Sequence, residues 1–79
     1  MSRLISLTKL KSKQSGKVKE ILGGVGVTQR LSVMGIRPGK MITKVSSMFV
    51  KGPVTIKVDR SRIALGFGVA NKVIVEVED

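Results

Sequence analysis

The cleanest alternation in the chain runs from Val54 to Val58, where Val54, Ile56 and Val58 share one face and Thr55 and Lys57 the other, the two-residue period of a half-buried strand. Val73 to Val77 alternates in the same way, and Ile63-Ala64-Leu65 forms a further short strand or bridge. Met41 to Phe49 mixes its faces, which predicts a bent strand. In Gly16 to Leu22, Val18 and Ile21 fall on opposite faces under strict alternation, so a bulge is expected between them, the device by which a small sheet curves.

One segment follows a different period. Val27, Leu31 and Met34 recur at i, i+4 and i+7 while Gln29, Arg30 and Ser32 face away, predicting a helix over roughly Gly26–Gly35 with Met34 in the core. Its end is marked by Gly35, suited to a left-handed residue just past the helix, and by Ile36, which supplies an apolar contact beyond it. Pro38 stops any continuation, and Pro38-Gly39 favours a type II turn. Leu7 and Leu10, three apart, predict a single helical turn that Thr8 caps, closing one end of a barrel. Gly52-Pro53 joins two strands, and a tight turn is expected from Gly66 to Asn71. The pattern describes a mainly β fold, a small partly open barrel of about five strands with one inserted short helix, in a single domain over residues 1–79.

Composition supports this: 19 of the 79 residues are Val or Ile, which suit pleated strands. It also narrows the chemistry. With no His and no Cys, the chain lacks the imidazole and thiolate of most transition-metal and nucleophilic sites, which argues against an enzyme and implies no cofactor. The absence of cysteine rules out disulfide stapling and points to a reducing or redox-indifferent compartment. No apolar leader opens the chain, and the longest near-apolar stretch, Ile63 to Ala70, is far shorter than the roughly 20 residues that span a bilayer. A cytoplasmic location is expected. Fifteen Lys and Arg against five Asp and Glu give a net charge of +10, so the expected partners are phosphate, an anionic inner membrane leaflet or an acidic protein.

Nucleotide motifs fail on inspection. Gly24-Val25-Gly26 starts a dinucleotide fingerprint, but Gln29 stands where Gly or Ala is needed. Gly35 to Lys40 is one residue short of a phosphate loop, Met41 replaces the Mg²⁺-binding hydroxyl, and the segment follows a helix where such a loop precedes one. Among the acids only Glu76, Glu78 and Asp79 cluster, and they read as a solvated terminus, leaving metal binding unassigned. Lys9, Lys11, Lys13, Lys17 and Lys19 alternate in sequence as a ribbon of charge for phosphates or an acidic partner. Two Phe, with no Trp or Tyr, give almost no stacking platform for single-stranded nucleic acid, so duplex phosphate binding is the surviving form of that alternative. Met48-Phe49 places two large apolar residues side by side before Gly52-Pro53, where both cannot face a thin core, marking an exposed contact patch.

The order of these signals resembles the FeoA family. Leu7 and Leu10, Gly16 and Val18, the segment Arg30-Leu31-Ser-Val-Met34-Gly35-Ile36-Arg37-Pro38-Gly39, then Gly52-Pro53, Ala64-Leu65, Ala70 and Val73 to Val75 carry the similarity across nearly the whole chain. The resemblance implies an SH3-like small barrel and a non-enzymatic accessory role in ferrous iron transport, exerted on the cytosolic GTP-binding part of a FeoB-type membrane transporter. A similar domain ends some metal-dependent repressors. Arg30, Arg37, Met48, Phe49 and Lys51 are the expected partner contacts, and Leu31, Met34, Gly35, Ile36, Pro38, Gly39, Gly52 and Pro53 the structural motif. The sequence departs from the family pattern at Lys13, where glycine is common, at Gln29 and Gly66, where arginine is frequent, and at Lys51, where an acidic or small residue is usual.

Overall fold

The computed structural model of the chain describes residues 1–46 and 52–78. Six strands, β1 (Ser2–Ser6), β2 (Ser15–Ile21), β3 (Met41–Ser46), β4 (Val54–Val58), β5 (Ser61–Leu65) and β6 (Val73–Glu78), form one antiparallel sheet in the order β1-β6-β2-β3-β4-β5. Two helices, α1 (Gly24–Val33) and the single-turn α2 (Phe67–Ala70), lie in the β2–β3 and β5–β6 connections. Inward-facing residues of β2, β3, β4, β5 and β6, including Val18, Ile42, Ile56, Leu65 and Val75, bury into one cluster with Leu7, Leu10, Leu31, Ile36 and Ala70. A single sheet can enclose its own apolar face only by curling, so the expected mainly β, partly open barrel is what the chain adopts.

Curvature comes from two bulges. Between β2 and β6 the register passes from Val18↔Val75 to Glu20↔Ile74, making Lys19 the extra residue and delivering the phase break anticipated between Val18 and Ile21. Between β3 and β4 it passes from Lys44↔Ile56 to Ser46↔Thr55, which bends β3 as expected. Burial along β4 alternates as the pattern requires.

The strand count exceeds the expected five by one. β1, which pairs with β6 from Ser2↔Glu78 to Ser6↔Ile74, carries Leu4 outward and Ile5 only half-buried, so its sequence shows little amphipathic contrast. The expected turn at Leu7 is a 3-10 helix over Leu7–Lys9 with Leu7 and Leu10 both buried, but Ser6, not Thr8, caps it by accepting from the Thr8 amide. Thr8 instead donates through Oγ1 to Asn71 Oδ1 at 3.1 Å, beside a 2.8 Å bond from Ser6 Oγ to the same oxygen. This node ties the end of β1 to the turn before β6.

α1 begins two residues earlier than expected, entered through Gly23 and Gly24 with φ of 102° and 86°. Its exit matches the expected motif: Gly35 sits at φ 89°, its amide donates to Ser32 O, and the Ile36 amide donates to Leu31 O at 2.9 Å. Leu31 and Ile36 are the buried pair that closes this Schellman arrangement.

Candidate partner-docking surface

The residues flanking that helix exit face solvent. Leu31 is 1% exposed and Ile36 0%, so together they anchor the segment, while Val33 stands 88% exposed and Val25 72%. Met34, expected in the core, is 36% exposed. The reversal at Gly35 explains this: Met34 is the last residue before the chain turns, and Ile36 takes the inward place that continued helical spacing would have given to its neighbourhood. Arg30, Val33 and Met34, at i, i+3 and i+4, therefore form one outward patch, two apolar side chains with a guanidinium beside them.

Arg37 projects from a turn that the sheet holds tightly. The Lys40 amide donates to Arg37 O at 3.1 Å across Pro38-Gly39, with Gly39 at φ 93° as a type II turn requires. Gly39 N then donates to Val18 O, and Val18 N to Lys40 O, both at 2.8 Å. Lys40 Nζ lies 2.7 Å from Asp59 Oδ2, linking this turn to the one between β4 and β5. Arg30 and Arg37 are thus exposed side chains on well-anchored backbone. Met48, Phe49 and Lys51 lie outside the described residues; Gly52 is half-buried and Pro53 exposed, leading into β4.

A concavity lies on the outer face of the sheet, an open groove of about 280 Å³ lined by Gln14, Ser15, Lys17, Met41, Glu76 and Glu78. Lys17 stands directly across from Glu76 in the β2–β6 register, which places a cation beside the carboxylates of this groove. Among the described residues no three acidic, His or Cys side chains converge on a point; Asp79, third of the acids singled out in the sequence, is outside them. Lys9, Lys11, Lys13, Lys17 and Lys19 are all exposed, with Lys19 displaced from the regular face by the bulge.

One functional-looking side chain escapes the hydrophobic pattern. Lys44 is 6% exposed, pointing inward from β3 where an apolar residue is expected. Its Nζ donates to Leu10 O at 2.8 Å and Thr8 O at 3.1 Å, tethering the 3-10 segment to the sheet. Only the mixed faces of Met41 to Phe49 hinted at it.

A family model described as the FeoA domain matches residues 5–77. The chain belongs to the FeoA family. It is 42% identical over 59 residues, 75% of this chain and 70% of the relative, to a protein of Methanocaldococcus jannaschii provisionally named Fe(2+) transport protein A. The crystal structure of an iron uptake regulatory protein, FeoA, superposes with a TM-score of 0.83 at 37% identity, covering 92% of this chain and 95% of that one. A manganese-dependent transcriptional repressor shares the fold alone, with a TM-score of 0.86 at 15% identity; the chain spans 44% of its length. The SH3-like architecture implied by the Arg30 to Gly39 segment is therefore the FeoA fold. None of these names is that of an enzyme, and no described helix is long and apolar enough to cross a membrane.

Proposed function

We propose that this FeoA-family chain is a non-enzymatic accessory subunit of ferrous iron transport, acting as one module that docks on the cytosolic part of a FeoB-type membrane transporter. The observation that carries the reading is the outward patch of α1, where Val33 is left 88% exposed beside Met34 and Arg30 on backbone pinned by Leu31 and Ile36. An exposed methionine and arginine beside an exposed valine match the enrichment of Met and Arg at protein interfaces. Arg37, fixed on its neighbouring turn, adds a second charge for an acidic partner. The net charge of +10 would hold the module close to an anionic inner leaflet, at about 1 kcal/mol for each basic side chain near the surface. The FeoA-family names among its relatives support the transport context.

Titration calorimetry of the chain against the soluble cytosolic region of such a transporter tests this. Binding is expected, weakened about tenfold or more by Val33→Asp or Arg30→Glu, both at exposed positions whose substitution leaves folding intact. The run of exposed lysines from Lys9 to Lys19 favours one competing reading, duplex nucleic-acid binding. Absence of transporter binding, together with duplex binding that falls steeply with salt, would replace the docking reading by that one.

A further inference from the structure

β5 ends the sheet. Among the described residues its hydrogen-bonded neighbour is β4 alone, through five consecutive pairs from Val54↔Leu65 to Val58↔Ser61 with no register shift. The two-residue turn at Asp59-Arg60 closes on Val58↔Ser61, so that pair exchanges hydrogen bonds, and alternation makes Lys57↔Arg62 and Thr55↔Ala64 the non-bonded pairs. The N–H and C=O of Arg62 and Ala64 therefore face away from β4, toward the open edge.

Charge on this end of the sheet is unusual. Lys57 and Arg62 face each other across the strands in the closer kind of pair, and both are exposed. Like charges placed so are destabilising. Arg60, exposed in the turn, adds a third cation. The acidic residues of the strands lie far from this edge: Glu76 on β6 stands opposite Lys17 and is followed by exposed Glu78, and Glu20 is on β2. Charged side chains protect an edge from aggregation; an opposed cation pair goes further, and the carboxylate of the adjoining turn, Asp59, is already paired with Lys40.

We infer that the β5 edge accepts an acidic, extended segment of a partner protein as an added strand. The outward amides and carbonyls of Arg62 and Ala64 supply main-chain pairing, and Arg62 with Lys57 and Arg60 selects acidic side chains on the outer face. Half-buried Ile63 and buried Leu65, pointing inward, favour apolar residues at the alternate positions of the incoming strand. The surface is built from other residues than the α1 patch, so its test does not depend on a transporter.

The test titrates the isotopically labelled full chain with a soluble peptide of alternating valine and glutamate, followed by amide shifts and amide exchange. Shifts centred on residues 60–66, with Lys57 opposite them, and slowed exchange of the Arg62 and Ala64 amides are expected. Arg62→Glu should weaken binding about tenfold and transfer preference to a peptide of alternating valine and lysine. Ala64→Pro, which removes an amide that β4 does not use, should abolish binding while leaving the fold intact. The charge exchange decides the matter if the proline variant fails to fold. Shifts centred on α1, unchanged exchange at Arg62 and Ala64 under saturating peptide, or equal binding by Arg62→Glu would each overturn the inference.

Discussion

Replacing Lys44 by methionine keeps the length of the side chain and removes its ammonium, isolating the two bonds to Leu10 O and Thr8 O. Lysine and methionine lose similar rotamer entropy on burial, so that term cancels. The Leu10 bond is enclosed, and its acceptor would be left without a partner at a cost of about 1–3 kcal/mol. The Thr8 bond is only part-buried, so water can recover much of it. Relief of the buried charge works the other way. The net expectation is a loss of about 2 kcal/mol, or a fall in melting temperature of roughly 10–15 °C for a chain of this size. Thermal unfolding by circular dichroism measures it. Amide exchange should localise it, because Leu10 N donates to Leu7 O and Lys13 N to Lys44 O in the tethered segment. Buried ionic groups are often exchanged for apolar ones without loss when both partners change; here the carbonyls stay behind. A methionine variant that melts at or above the parent temperature would refute the assignment of Lys44 as a tether.

Other substitutions probe the sheet and its turns. Gly16→Ala should destabilise by about 1–3 kcal/mol in urea unfolding, since the added methyl would come within 3.1 Å of Val75 Cβ and 3.2 Å of Val77 Cγ1 in the buried face. Lys13 holds φ 70°, so Lys13→Gly should stabilise by about 0.5–1 kcal/mol while Lys13→Ala should not, a difference readable in the same assay. Asn71→Ala removes the acceptor shared by Ser6 and Thr8 and should cost at most about 1 kcal/mol, with exchange rising chiefly along β1.

Local rules made much of the architecture legible. The helix exit was readable because Gly35, Ile36 and Pro38 each have a distinct backbone requirement, and those requirements agree. The β2 bulge was readable because Val18 and Ile21 cannot share a face without an extra residue. What stayed hidden depended on distant partners. β1 is a strand because β6 offers it a ladder, not because Ser2 to Ser6 alternates. Met34 keeps helical spacing yet faces out, since the reversal after it gives the inward place to Ile36. Lys44 is buried because two carbonyls from a segment some thirty-five residues away converge on it. The docking surface was half legible. Arg30 and Arg37 are exposed as anticipated, whereas Val33, 88% exposed, carries no signal in the sequence because isolated surface valines are common.

The position of β6 has a consequence for synthesis. It lies between β1 and β2 and pairs Ser2 with Glu78, so β1 and one edge of β2 wait for a strand made after β3, β4 and β5. Such long-range closure raises contact order and slows folding. On the ribosome β1 has no partner strand, and β2 only β3, until β6 has emerged, and a nascent chain stalled before Val73 exposes the edges of β1 and β2 together. Quality control can therefore read a truncated copy as unfolded, because the strand that joins β1 to the rest of the sheet is missing.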